Sequence, residues 1–114
     1  MTHYNRGDVV LVPFPFSDQT TAKKRPAVII SSSTYNDTSR DIVIMAITSQ
    51  ARGNIGIGEC MIESWQSAGL LKSSAIKSAI STIEQGLVLK ILGRLSPKDL
   101  SSLEKALKEL LGLG

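Results

Sequence analysis

Two short stretches of this 114-residue chain carry side chains suited to holding a phosphate. The first is Lys23-Lys24-Arg25-Pro26-Ala27-Val28, a basic run that leads into an apolar segment. The second is Ile47-Thr48-Ser49-Gln50, at the end of another apolar segment. An arginine's planar fork can bind two phosphate oxygens at once and stays cationic at any working pH. Arg25 follows a polar loop and precedes a buried run, so its backbone would be anchored while its side chain reaches a groove. Thr48 would offer a hydroxyl able to donate to the same phosphate. Read singly, Arg25 could equally be one solvated member of a basic surface, and Thr48 an ordinary strand threonine.

Other chemistries find little support. There is one histidine, His3, and one cysteine, Cys60. A Ser-His-Asp triad, a histidine metal site, a thiolate zinc cluster and an intrachain disulfide are therefore not expected. The carboxylates are scattered, with no close pair to hold magnesium. Gly53-Asn54-Ile55-Gly56-Ile57-Gly58 has the wrong spacing for a dinucleotide turn, and no Lys-Ser/Thr follows it for a P-loop, so it reads as a strand with bulges. Ser74-Ala75-Ile76-Lys77 matches Ser-x-x-Lys, but the companion motifs of that acylating site are missing. Cys60 reads as a structural thiol, and Trp65 as a packing residue. Asn36-Asp37-Thr38 is a glycosylation sequon only if the chain is secreted, and the polar start Met1 to Asp8 does not read as a signal peptide. No stretch is long and apolar enough for a membrane span, so the expected compartment is a reducing cytoplasm. Thirteen Lys/Arg against ten Asp/Glu give a net charge of +3, which suits an acidic partner such as a nucleic acid.

The elements that would position these residues follow from periodicity. Val9 to Val12 reads as a strand buried on both faces, ended by Pro13 and Pro15. Residues 17–24 read as a loop, and Ala27 to Ile30 as a second strand. The Ser/Thr/Asn/Asp-rich residues 31–40 read as a loop. Asp41 to Thr48 is a third strand and Ile55 to Ile62 a fourth. Glu63 to Gly69 fits a turn. Leu70 to Ile83 is ambiguous between strand and helix, with short strands preferred because small Ser and Ala residues alternate loosely with Leu and Ile. Leu87 to Leu95 reads as a last strand interrupted at Gly93. The final segment is a helix: Ser96 is its N-cap, Pro97 its first residue and Asp99 lies in its first turn. Leu100, Leu103, Leu107, Leu110 and Leu111 form its apolar stripe, and Gly112 ends it. One domain over residues 1–114 is expected: mostly β with a C-terminal helix, as a small β-barrel.

Three pieces of this pattern resemble the MazF/PemK family of toxin ribonucleases. They are the Gly7-Asp8-Val9-Val10 start leading to Phe14-Pro15-Phe16, the Lys-Arg-Pro opening of the second strand at residues 24–26, and Thr48-Ser49-Gln50. Lys90-Ile91-Leu92-Gly93-Arg94-Leu95-Ser96 extends the similarity to the last helix. The resemblance implies an SH3-like barrel of the MazF/PemK/CcdB type, usually a homodimer. It implies a toxin of a type II toxin–antitoxin pair that cuts single-stranded RNA at particular sequences, with no cofactor. It makes Arg25 and Thr48 the catalytic pair. Lys23, Lys24, Ser49, Gln50, Arg52 and Lys77 would contact RNA, with Phe14 and Phe16 stacking on bases or packing in the core. An acidic, partly disordered antitoxin would neutralise it. Many relatives carry Gln, then Arg two residues later, in the strand near Lys77; here Ala75 and Lys77 stand at those places. Two other roles remain open: a CcdB-like toxin clamping DNA gyrase, and an RNA-binding barrel without catalysis.

Overall fold

In the computed structural model, which describes residues 2–14, 23–50 and 55–114, β1 (Asp8–Phe14) and β2 (Lys23–Ile29) open an antiparallel sheet. A short helix α1 (Ser33–Thr38) leads to β3 (Asp41–Thr48), followed by β4 (Cys60–Ile62) and β5 (Ser74–Glu84). A single 3-10 turn over Gln85–Leu87 precedes β6 (Lys90–Arg94) and the closing helix α2 (Pro97–Leu111). The six strands lie in the order β4-β5-β3-β2-β1-β6, with every pairing antiparallel. The mostly β fold with a C-terminal helix is as expected, and the sheet curls into a half-barrel.

The apolar runs explain why both faces of the sheet are buried. Val10, Val12, Ala27, Ile29, Ile42 and Ile44 alternate onto one face, closed by Tyr4, Ile83 and Val88. Val9, Val28, Met45 and Ile47 take the other face, where Leu103 of α2 and Ala68 cover them. Strands of this kind read as continuous hydrophobic runs, because neither side meets water. Two irregularities bend the sheet. Leu92 is an extra residue of β6 opposite the Val9–Val10 step of β1. On β5, residues 77–79 all face the single Ala46 of β3. Bulges of this kind sharpen the local twist and turn a flat sheet toward a barrel.

Several elements differ from the sequence reading. β1 runs through Pro13 to Phe14, where Pro13 pairs with Lys24. The β1–β6 pairing has already ended at Leu11, so proline costs no ladder bond on that side. β2 begins at Lys23 rather than Ala27, which puts the basic run inside a strand. Residues 31–40 include α1 rather than loop alone. Its polar residues serve as cap and anchor: Tyr35 N donates to Ser32 Oγ at 3.2 Å, and the buried Asn36 amide donates to the Tyr4 and Ser31 carbonyls at 2.9 and 3.1 Å. That burial also closes Asn36 to glycosylation. The fourth strand is only three residues long, and residues 55–59 form a turn against α2. Residues 74–84 make one bent strand instead of several short ones.

Helix α2 forms as its residues dictate. Asp99 N donates to Ser96 Oγ at 3.1 Å, and Gly112 takes the left-handed φ of 67° that ends the helix. Leu103 is fully buried, while Leu100, Leu107 and Leu110 pack at the margin; Leu111 stays exposed. Asp99 does more than favour the first turn. Its buried carboxylate accepts from Glu63 N at 3.0 Å and Ser64 N at 2.9 Å, fastening residues 63–69 to the helix. No helix among the described residues is long and apolar enough to cross a membrane.

Candidate nucleic-acid groove

The groove opens where two neighbouring strands part. Ala27↔Ala46 begins the ladder between β2 and β3, so Lys24, Arg25 and Pro26 pair only with β1. Beyond Ala46, Ile47 and Thr48 pair only with β5. Pro26 lacks a backbone donor to give β3, and the β3–β5 ladder is irregular at Ala46, where the two sides of the split diverge. The space between has a volume of about 560 Å³.

Arg25 and Thr48 line this space from opposite sides of the split. Arg25 is half-buried, with its Nε out of solvent. Thr48 Oγ1 accepts from Gln50 N at 3.1 Å, which fixes the hydroxyl at the strand end. A hydroxyl that accepts in this way still has its own proton to donate. Lys24, Ser49 and Gln50 line the same space.

The remaining walls come from distant parts of the chain. Residues 69–72 form a turn on one side, and Lys90 and Leu92 of β6 stand nearby. The turn meets β6 backbone to backbone. Gly69 has a φ of 81°, and a Cβ there would lie 2.0 Å from the Leu92 carbonyl oxygen. A Cβ on Gly93 would lie 2.6 Å from the Ala68 carbonyl carbon. Ser74 Oγ donates to the Lys72 carbonyl at 2.8 Å and braces the end of the turn. The described lining thus carries four cations, Lys24, Arg25, Lys72 and Lys90, and no carboxylate or imidazole. Such a surface attracts phosphate and can stabilise added charge on it.

Other candidate residues lie elsewhere. Lys23 is exposed at the start of β2 and does not line the groove. Lys77 is exposed on the bend of β5, within a strand that continues to Glu84, and also stands outside the lining. Ala75 is buried and pairs with Thr48. Phe14 pairs with Lys23 through the β1–β2 ladder. Its side chain, and residues Phe16 and Arg52, lie outside the described residues. Leu71, Lys72 and Lys90 were not singled out for the site by sequence. Lys90 does lie in the segment that carries the family resemblance, while Lys72 sits in a stretch without clear periodicity.

The groups set aside by sequence pack as structure. His3 Nδ1 faces Asp37 Oδ1 at 3.2 Å on the surface. Trp65 packs at the margin of the α2-side core. Cys60 is half-buried there too, and burial, then the Asp99 charge, pushes its thiol up to about 11. No cluster of three His, Cys, Asp or Glu side chains suited to a metal occurs among the described residues.

Comparison with known proteins agrees with this architecture. Residues 5–111 match a family model described as the PemK-like, MazF-like toxin of type II toxin–antitoxin systems. A search of curated protein sequences gives no match. Among solved structures, the chain is similar to an endoribonuclease in complex with its cognate antitoxin from a mycobacterial species. The two are 18% identical with a TM-score of 0.75, over 98% of this chain and 96% of that one. It is similar also to MazF from Deinococcus radiodurans, at 20% identity and a TM-score of 0.76, over 98% of this chain and 99% of that one. A MazE–MazF structure from the same organism gives 18% identity and a TM-score of 0.74, over 98% of both chains.

Proposed function

The chain belongs to the PemK-like, MazF-like toxin family of type II toxin–antitoxin systems, and from that premise we propose that it is an endoribonuclease cutting single-stranded RNA in the cytoplasm. The observation that carries this reading is the groove itself, which Arg25 and Thr48 line along with Lys24, Lys72 and Lys90. The likeness to a mycobacterial endoribonuclease with its antitoxin supports it.

The chemistry needs no metal. The ribose 2′-hydroxyl gives its proton to solvent as its oxygen bonds to the adjacent phosphorus and the bond to the 5′-oxygen breaks. The departing 5′-oxygen takes up a proton in turn, leaving a 2′,3′-cyclic phosphate and a 5′-hydroxyl. Negative charge grows on the phosphoryl oxygens in the transition state. Arg25 meets that charge with two parallel donors, and its partial burial strengthens the attraction. Thr48 donates its hydroxyl to the same phosphate. A guanidinium holds its proton, so Arg25 is not the base; it stabilises charge and donates hydrogen bonds, and the departing 5′-oxygen takes its proton from solvent. Lys24, Ser49 and Gln50 hold the strand beside the cut, and the sequence read there makes cleavage selective. An acidic antitoxin covering this groove would neutralise its cations, and the active form is a homodimer.

Wild type and Arg25→Ala, incubated with a long single-stranded RNA in excess EDTA, test this directly. Wild type is expected to make discrete cuts with cyclic-phosphate ends. Arg25→Ala, folded by circular dichroism, is expected to lose roughly 10²–10³ in rate, the scale of removing one oxyanion donor. Cleavage by Arg25→Ala at the wild-type rate, or cleavage by wild type only with added magnesium, would overturn the assignment.

A further inference from the structure

Leu71 is 94% exposed, the most exposed large apolar side chain among the described residues, and it lines the groove. Its exposure is not that of a loosely held loop. Leu70 beside it is buried in the core, Gly69 is seated on the β6 backbone, and Ser74 braces the turn through the Lys72 carbonyl. The backbone is held on both sides while the leucine side chain is presented to whatever fills the groove. Leaving it in water forgoes the gain of burying it, so an occupant with an apolar face would bind there favourably. The cations Lys24, Arg25, Lys72 and Lys90 require that occupant to be anionic. Single-stranded nucleic acid has both properties in alternation, phosphates along its backbone and flat apolar faces on its bases. A second copy of this chain carries a net charge of +3 and matches only the apolar part.

Resting on the endoribonuclease reading, we propose that Leu71 is a specificity-determining residue. Its side chain packs on the face of a base flanking the phosphate held by Arg25, while Lys72 neutralises a neighbouring phosphate. The contact favours bases by shape and stacking rather than by hydrogen bonding, so it selects among sequences without touching the bond that breaks.

The test compares wild type, Leu71→Ser and Lys72→Gln. Both side chains are exposed, so neither substitution removes core packing. The binding probes are a short 2′-O-methyl RNA of random sequence, which cannot be cut, and an abasic strand of equal length. Leu71→Ser is expected to lose about tenfold in affinity for the base-bearing strand and nothing for the abasic one. Lys72→Gln is expected to weaken both alike. In cleavage mapping, Leu71→Ser should relax the preference at one position beside the cut while cutting continues. Wild-type cleavage with an unchanged Leu71→Ser map and affinity overturns the proposal and leaves the endoribonuclease reading standing. A wild type that neither cuts RNA nor binds the base-bearing strand overturns both. A wild type that binds without cutting overturns the nuclease reading alone, and the paired affinities still decide the role of Leu71. If Leu71→Ser changes only the mass of the particle in solution or its grip on an acidic peptide, the leucine belongs to a protein interface and the proposal falls.

Discussion

The role proposed for Arg25 depends on neighbours that fix its backbone. Val12 pairs with it across the β1–β2 ladder, and Pro26 follows it where the ladder to β3 has not begun. The residue is thus held from one side and open on the other. Cys60 shows the opposite use of partial burial, which keeps a group inert. Its thiol titrates near 11 instead of 9.0, because burial and the Asp99 carboxylate both disfavour the thiolate. At pH 8 the folded protein should therefore react with iodoacetamide about a hundredfold more slowly than the denatured chain, read by mass spectrometry. Equal rates would refute the shift. The sign for stability follows from the raised value. Below pH 9.0 both states keep the proton, whereas between 9.0 and about 11 the unfolded chain loses it first. This group's contribution to stability therefore declines as pH rises through that interval.

Among the elements, α2 packs on the sheet through its leucines and is tied to residues 63–64 by one buried carboxylate. Asp99 accepts two backbone hydrogen bonds from the segment that leads to the groove wall. Asp99→Ala leaves two amides without their acceptor and should cost about 1.5–3 kcal/mol, measured by chemical denaturation. Asp99→Asn keeps one acceptor oxygen and should cost less; an unchanged midpoint for the alanine variant would show that the bonds contribute nothing. This helix was legible in sequence from Ser96-Pro97 and the leucine spacing, because capping and amphipathicity are local rules. β3 was legible for a similar reason, as the unbroken apolar run Ile42 to Ile47 between Asp41 and Thr48. The prolines misled. Pro13 and Pro26 sit inside strands, which is possible only where one neighbouring strand has stopped pairing, and pairing is a tertiary fact. α1 was hidden because Ser32 and Asn36 have the composition of a loop, and only their partners Tyr35, Tyr4 and Ser31 show otherwise. Of the groove, Arg25 and Thr48 stood out as residue types near strand ends. Lys72 and Lys90 did not, since each becomes part of it only when the 69–72 turn and β6 meet β2 and β3.

Over the whole molecule, a modest charge becomes effective through placement. The net charge is only +3, yet four cations gather on one groove whose described lining has no acid. Single-stranded RNA binding should therefore fall steeply with salt. If all four neutralise phosphates, log affinity against log salt has a slope of about −3, by the single-strand value of about −0.7 per contact. A titration between low and physiological salt measures it, and a slope near zero would mean the groove does not follow the RNA backbone. The chain folds to a radius of gyration of 13.2 Å, so the walls of this groove come from segments far apart in sequence but only a short distance apart in space. Where Gly69 and Gly93 bring two of those segments together, no side chain separates them. The spacing there is set by atomic radii and not by any residue that substitution could enlarge or shrink. Positions 71, 72 and 90 can thus change identity while the gap keeps its gauge. On the proposed reading, relatives built on this scaffold diverge in the RNA they cut by rewriting the rim alone, with no need to refit the frame that carries it.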